Sequence, residues 1–582
     1  MRVQSNDIHV TESACSFEFD GRPIEALNGE TIAAALTANG ILALRRARSG
    51  EPRGIFCGMG VCSECLVTVD GEPSVRACMA PVRPGMKVMS QGEPAPAPES
   101  LPQAGPNALA DIATDPDVLV VGGGPAGLQA ALAAARGGAR VLVVDERPYP
   151  GGQYFKQLAP SHTFESPGAM DTQFRQGREL IDAVRAQGVT ILSNTQVWGA
   201  FGTDQIGIYQ GLHSAMLSPK RLIVATGAYE RGVPVPGWTL PGYMTTGAAQ
   251  TLLRAYRVSP GKRVLMAGNG PLNLQVAREL ISAGVTVVAW VEASAKPGAL
   301  QAGPLLQAAY AAPDLIVAGY RDLAALRRAG VPALYGHAVI EARGQGKVER
   351  AVVARIDDEG KPISGSERHF DVDAICAGWG FLPSLELSRA LGCEHRFDPA
   401  KGTLIVVRGN AGETSVPGVF VVGDGGGMGG SRIAQEQGLL AGCKAAQELG
   451  CTLPIELVAD AARSRARLVR HRRFQDALWT IFKAPRITIE LAQTGTHLCR
   501  CEEVSMKTVR QACASGTSTI GGLKRQTRIG MGRCQGRYCG PNLVQMIANP
   551  NQPRAFDELD FFAPRPPIKP VPLAAIAKEP TP

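Results

Sequence analysis

The chain has 582 residues, 45% of them hydrophobic and 19% charged, and at about 150 residues per domain it has room for three or four compact units with cores of their own. That excludes a small hormone-like fold and a largely disordered chain. Lys and Arg number 60 against 52 Asp and Glu, a net charge of +8, too dilute over this length to indicate nucleic acid. The amino terminus, MRVQSNDIHV, lacks the basic-then-apolar profile of a secretory signal, and no apolar run reaches transmembrane length. The expected compartment is the cytoplasm, where thiols stay reduced, so the 14 cysteines read as metal ligands or buried thiols rather than disulfides.

Residues 8–30 read as two short strands joined around Asp20-Gly21, and TIAAALTANG as a short helix ending at Gly40. Cys57, Cys62 and Cys65 then stand as C-x4-C-x2-C, with Cys78 following across a predicted hairpin, which is the plant-type spacing for a 2Fe-2S cluster. A loop wrapping bridging sulfides needs Gly58 and Gly60, so that its backbone passes close and donates N–H bonds. Zinc is the alternative, although zinc usually takes paired knuckles. Cys15 lies outside the spacing and reads as a core thiol. Residues 91–116 are dense in Pro and Ala without periodicity, the pattern of a stiff, extended connector.

From Val118 the segment VLVVGGGPAGLQAALAAARGGARVLVVDE reads strand, glycine turn, helix, strand. Gly122, Gly124 and Gly127 form G-x-G-x-x-G, Pro125 and Ala126 open the helix, and Asp145 ends the next strand. In that context bare backbone at the helix amino terminus receives a pyrophosphate, and the acid accepts ribose hydroxyls, with Glu146 as the neighbouring alternative. Gly152-Gln153, Thr226-Gly227 and Gly423-Asp424 follow. In this order the motifs resemble the two-dinucleotide-domain flavoproteins, a resemblance that implies Asp424 accepts a hydrogen bond from the flavin ribityl chain. A second unit begins at Arg263 with Gly268 and Gly270, but Asn273 occupies its third glycine position, and Glu292 ends the next strand, where it could hold a ribose. This departure argues against a nicotinamide site and favours a domain kept for shape or for another nucleotide. A flavin disulfide reductase is excluded, because no cysteine pair lies near Gly151 or in the middle domain. Cys376, Cys393, Cys443 and Cys451 share no ligand spacing and read as core.

The arginine-rich stretch 463–473 reads as a solvated helix face, or as a dock for an acidic partner. Cys499-x-Cys501 and Cys534-x4-Cys539 are separated by 32 residues with a helical pattern, and two such pairs make a four-thiolate site, with structural zinc as the alternative. Cys513 is off this pattern. The eight histidines are scattered, without support for histidine metal sites or nucleophilic catalysis. Only His497 stands near a site, as a surface residue or a tuner of redox potential. The Pro-rich tail after Phe562 reads as a strap or a disordered end.

CRCEEV together with GMGRCQGRYC resembles the ferredoxin-like domain that ends the α subunits of heteromeric flavin dehydrogenases: opine oxidase, proline and hydroxyproline dehydrogenases, hydrogen cyanide synthase and, more distantly, sarcosine oxidase. The expected fold is α/β, a Rossmann-like two-dinucleotide-domain flavoprotein. It is flanked by a β-grasp ferredoxin domain and a small α-rich 2Fe-2S domain. Expected units are 1–90 (ferredoxin), 91–116 (connector), 117–244 and 371–455 (first dinucleotide domain), 245–370 (second), 456–562 (helical and second cluster) and 563–582 (tail). The resemblance implies two 2Fe-2S clusters, FAD at the first site with ATP or NAD as alternatives, and FMN at a subunit interface in some members. It also implies a β subunit resembling D-amino-acid oxidase that carries its own FAD and the substrate. Electrons would pass to a quinone or similar acceptor, with the complex cytoplasmic or peripheral to the inner membrane face. No acid, base or nucleophile is assigned on this chain. The alternatives are a self-sufficient NADH-dependent iron-sulfur flavoprotein reductase and a redox-sensing assembly protein.

Overall fold

A computed structural model describes residues 1–4, 7–11, 14–92, 107–547 and 555–577. The middle of the predicted connector (93–106) and the end of the predicted tail (578–582) lie outside the described residues. The first sheet has the spatial order Arg22–Leu27, Ala14–Phe19, Lys87–Ser90, Leu66–Val69, Glu72–Arg76, with one parallel pair at its centre and antiparallel pairs around it. Asp20 and Gly21 both have positive φ, the backbone that a two-residue hairpin turn requires. Alternation along Ala14–Phe19 turns Phe17 and Phe19 inward against a short helix, Ile32–Ala38, whose first turn is capped by the Thr31 hydroxyl. This is the expected β-grasp arrangement. The hairpin expected around Asp20-Gly21 forms between Ala14–Phe19 and Arg22–Leu27, and Ile8–Val10 ahead of it pairs antiparallel with His162–Phe164 of the central domain.

Two parallel five-stranded sheets follow. The first has the order Thr190–Leu192, Val141–Val144, Val118–Val121, Arg221–Val224, Val419–Val421. Its strands are almost wholly apolar because both faces are covered. The helices Pro125–Arg136 and Gly430–Glu448 pack on one face, and a three-stranded meander from Gln196 to Leu217 packs on the other. The second sheet repeats this plan with Tyr243–Met244, Ala374–Gly378, Arg263–Gly268, Thr286–Glu292 and Ala333–Tyr335, and has its own meander from His337 to Asp371. The second unit therefore reaches beyond the expected 245–370: two of its strands, at 243–244 and 374–378, lie outside those bounds.

The arginine-rich helix, Ile455–Ile481, leaves the arginines of 463–473 exposed, the solvated face expected of them, and a few contacts tie the helix to its neighbours. Arg467 pairs with Glu436 at 2.6 Å, Arg136 with Asp460 at 3.1 Å, and Arg470 donates to the Ala311 carbonyl at 2.6 Å. A final small domain builds its core from Leu498, Met506, Val509, Leu523 and Leu543. The tail is a strap up to residue 577. Ile568 is buried, its N–H donates to Trp198 O at 2.7 Å, and its carbonyl accepts from Arg537 at 2.8 Å. Among the described residues no helix is long and apolar enough to cross a membrane.

The helices Pro125–Arg136 and Gly430–Glu448 cross so closely that a Cβ on Gly442 would stand 2.3 Å from Ala130 O. Gly442→Ala should therefore cost about 1–3 kcal/mol of stability. A thermal melt would show this as a lowered midpoint.

Candidate functional site

The first cysteine loop leaves Pro52–Arg53 and returns to Leu66–Val69. Cys57, Cys62, Cys65 and Cys78 are all buried and free of disulfides. Burial alone pushes the Cys57 thiol up, but the Cys62 thiol and the N–H groups of Met59, Cys62 and Val61 bring it down to about 6, which favours the thiolate. Burial pushes the Cys62 thiol up, the hydrogen bond with Cys65 and burial push Cys78 up, and both feel the charges of Cys57 and Cys65. Among the described residues no three His, Cys, Asp or Glu converge as ligands of one ion. Two pairs of thiols facing each other, with amides aimed at sulfur, fit a two-iron cluster. Gly58 and Gly60 have a more specific reason than close approach to sulfide. A Cβ on Gly58 would lie 2.8 Å from Ala248 Cα, and one on Gly60 would lie 2.9 Å from Arg76 Nη1. They let the loop dock on the helix Thr246–Tyr256 and on Arg76.

The second set converges from a strand, His497–Cys499, and from the loop ahead of the helix Gly540–Ile547. Cys501 Sγ lies 3.5 Å from Cys534 Sγ, and the Gly536 and Tyr538 N–H groups point at the Cys534 sulfur. A Cβ on Gly532 would stand 2.2 Å from Cys501 Cβ, so glycine is needed for the two segments to meet. This donor set also fits a thiolate-held cluster. Its four cysteines line one small cavity together with Cys62 and Glu64 of the first loop.

The two loops touch directly. Cys501 Sγ is 3.9 Å from the Cys62 carbonyl. Arg500, between Cys499 and Cys501, lies 4.0 Å over the Phe56 ring and 4.8 Å over Trp238, donates to the Trp238 carbonyl, and faces Glu64 at 3.6 Å. Glu503 accepts from Ser49 N at 2.9 Å and from Arg53 at 3.0 Å. Phe56, Tyr538 and Tyr229 continue as edge-on and tilted rings 5.2 and 5.6 Å apart. The motif reading missed these residues. The available signal was the identity of the residues between the ligands, an acid in Cys62-Ser63-Glu64-Cys65 and a base in Cys499-Arg500-Cys501. His497 acts through its backbone, its carbonyl accepting from Trp238 Nε1 at 2.8 Å, and burial lowers its ring pKa.

The first dinucleotide motif closes as expected for bare backbone. A Cβ on Gly127 would fall 1.8 Å from Gly122 O, and one on Gly152 would fall 2.7 Å from Gly124 Cα. Gly124 caps the helix without a side chain, Pro125 is its first residue, and a Cβ on Gly423 would meet Ala126 Cβ at 2.9 Å. Asp145 is buried at the strand end and accepts from Gly123 N at 2.6 Å. Burial raises its carboxyl pKa. Glu146 is taken up elsewhere. Burial would raise it, but Lys569 of the strap at 2.7 Å and Arg76 at 3.7 Å hold it down at about 2. Thr226 Oγ1 donates to Ser384 O, Gly227 follows it into the turn, and Asp424 accepts from Gly429 and Gly430 N–H at 2.8 Å. A Cβ on Gly425 would meet Thr226 Oγ1 at 3.0 Å, so these two loops converge. This glycine-lined cradle at a helix start fits a dinucleotide pyrophosphate.

Between this cradle and the first cysteine loop lies a second pocket, with Gly58, Cys78, Arg147, Gly152 and Lys156 among its lining. Lys156 donates to the Gln153 carbonyl and to Gln250 at 2.9 Å, and burial lowers its ammonium to about 7. The second glycine loop is built differently. Asn273 substitutes hydrogen bonds for the missing close contact, accepting from Thr246 at 2.6 Å and donating to Gly378 O at 2.9 Å. Glu292, expected at a ribose, is buried and accepts from Asn269, Gly270 and Ser294. Asn269 also donates to the Phe482 carbonyl at 3.0 Å, which brings the end of the long helix onto this loop. Of the cysteines read as core, Cys376, Cys393 and Cys443 are buried, whereas Cys15, Cys451 and Cys513 are half-buried.

Comparison with known proteins agrees with this arrangement. Residues 12–93 match the 2Fe-2S iron-sulfur cluster binding domain, 116–438 the pyridine nucleotide-disulphide oxidoreductase family, and 494–579 the sarcosine oxidase A3 domain. One opine oxidase subunit of Rhizobium meliloti is 32% identical over 80% of this chain and 88% of its own length. Hydrogen cyanide synthase subunit HcnB of Pseudomonas aeruginosa is 32% identical over 78% of this chain and 97% of its own length. The chain belongs to this family. It is an oxidoreductase, a flavoprotein with an amino-terminal 2Fe-2S domain. The crystal structure of L-proline dehydrogenase from P. horikoshii shares the fold, with a TM-score of 0.70 at 22% identity over 97% of this chain and 98% of that one.

If each cysteine set holds its own centre, Cys57→Ser and Cys534→Ser should each remove a different EPR signal from the dithionite-reduced protein and leave the other.

Proposed function

We propose that this chain is the electron-transferring subunit of a heteromeric flavin and iron-sulfur dehydrogenase. Its partner subunit oxidises an amine or amino-acid-type substrate, opine, hydroxyproline or proline, or glycine-like. The observation that carries this reading is the shared cavity, in which the second cysteine set lies against Cys62 and Glu64 of the first. Two thiolate-lined sites in contact, beside a dinucleotide cradle, suit a relay of single electrons. The names of the relatives, each one subunit of an oxidase or synthase, point the same way.

In this reading Cys57, Cys62, Cys65 and Cys78 hold one 2Fe-2S cluster, and Cys499, Cys501, Cys534 and Cys539 hold the other. Gly122, Gly124, Pro125, Ala126 and Gly127 receive the pyrophosphate of FAD, and Asp145 its ribose. Gly152, Gln153, Thr226, Gly227, Gly423 and Asp424 line the rest of that cradle. FAD supplies the exchange between two-electron and one-electron chemistry. This chain's residues hold and orient the carriers, exclude water from the cysteine loops, and keep the thiolates hydrogen-bonded. The partner is a β subunit resembling D-amino-acid oxidase with its own FAD, and a quinone or similar acceptor takes the electrons.

Anaerobic mixing with NADH tests this against the reductase alternative. The expected outcome is no flavin bleaching and no EPR signal with NADH, and two 2Fe-2S signals with dithionite. Rapid reduction by NADH would overturn the partner-fed reading.

A further inference from the structure

Two helices of the second dinucleotide unit have few buried residues: Ala302–Ala311 buries only Ala308 and Ala311, and Pro313–Arg328 only Leu326. A short helix is marginal in water and takes most of its stability from a packed apolar face, yet the large apolar side chains here point outward. Leu306 is 72% exposed and Tyr310 83%, one turn apart on the first helix, and Val317 and Tyr320, at 46% and 68%, share one side of the second. Single exposed apolar residues need no explanation, whereas such a group marks a contact surface.

The helix Ile455–Ile481 runs beside the first of these two. Ala308 packs with Ala477 and Ile481, Gln307 donates to the Arg473 carbonyl at 3.2 Å, and Arg470 donates to the Ala311 carbonyl at 2.6 Å. These contacts set the exposed arginines at 470–473 beside the segment that carries Leu306 and Tyr310. Six arginines stand between 463 and 473, with no acid from 461 to 475. Arg463 and Arg467 have acidic partners within the chain, but Arg465, Arg472 and Arg473 form no ion pair among the described residues.

The make-up of this face selects its occupant. It presents Leu, Val, Tyr and Arg, and no lysine stands in 299–330 or 455–482. Aromatic residues and Arg are enriched, and Lys depleted, where proteins meet proteins. A second copy of the chain would set arginine against arginine. On an anionic lipid surface the exposed Asp314, between Tyr310 and Val317 in sequence and paired with Arg432, would face like charge. We propose that these three helices are the docking surface for the partner subunit, which meets them with an apolar centre and an acidic rim. This inference rests on the reading of the chain as one subunit of a heteromeric dehydrogenase.

The test uses the native complex, purified from its own cells through a tag on this chain, with the partner identified by mass. In hydrogen exchange of the complex against the free chain, the amides of 302–328 and 455–473 should gain protection. Leu306→Asp with Tyr310→Asp, and separately Arg472→Glu with Arg473→Glu, should each lower the co-purified partner by about tenfold or more. All four side chains are exposed, so the thermal midpoint and the EPR spectrum of the dithionite-reduced chain should stay as in wild type. A partner retained at wild-type level by both variants, or protection confined to other segments, would overturn the proposal. So would flotation of the free chain with phosphatidylglycerol vesicles, or self-association of the chain, that both variants lose: the face would then be a lipid contact or an interface between copies. A wild-type chain that brings down no second subunit would instead sink the heteromeric reading itself, and the proposal with it.

Discussion

One desolvated guanidinium ties the molecule together. Arg500 comes from the last domain, Phe56 and Glu64 from the first, and Trp238 from the passage into the second dinucleotide sheet. A cation over aromatic faces away from water gains about 2 kcal/mol, and a buried charge stripped of its partner costs about 3–5 kcal/mol. The contact is thus worth little unless all its parts are present. Three regions far apart in sequence must reach one register together, and that register brings the two cysteine loops into contact.

The duplicated sheets carry out one plan with different contacts. In both, an acid at a strand end holds the neighbouring glycine loop: Asp145 bonds Gly123 N, and Glu292 bonds Gly270 N. In the first unit the loop rises to a glycine-only crossing, Gly127 against Gly122 O. In the second, Asn273 at the equivalent position makes two hydrogen bonds, to Thr246 and to Gly378 O, and the Phe482 carbonyl accepts from Asn269 of the loop. Both helices still start on a glycine with no side-chain cap, Gly124 and Gly270. The second unit also carries Trp238 and the helix Thr246–Tyr256 to the cysteine loops.

The architecture was legible where spacing carries chemistry. The cysteine intervals, the glycine pattern after an apolar strand and the strand-helix alternation each reflect a local constraint that a short stretch of chain must meet by itself. Partnerships across long separations were not legible. Nothing in IHV marks Ile8–Val10 as a partner for residues 162–164 rather than for the adjacent strand. The exposed face of the arginines in 463–473 was legible from their charge run, but the pairing of Arg467 with Glu436 of another helix was not. Gly58 seemed reserved for the cluster, yet the atom that demands it belongs to Ala248. Glu64 and Arg500 have no periodic or motif signature and gain meaning only once the loops are adjacent.

The burial of the thiols bears on their reactivity. Seven of the eight candidate ligands are buried and Cys501 is half-buried, Cys65 and Cys78 within the core of the first domain and Cys499 and Cys539 within that of the last. A reagent added to the folded chain therefore meets the half-buried Cys15, Cys451, Cys501 and Cys513 before the other seven candidate ligands.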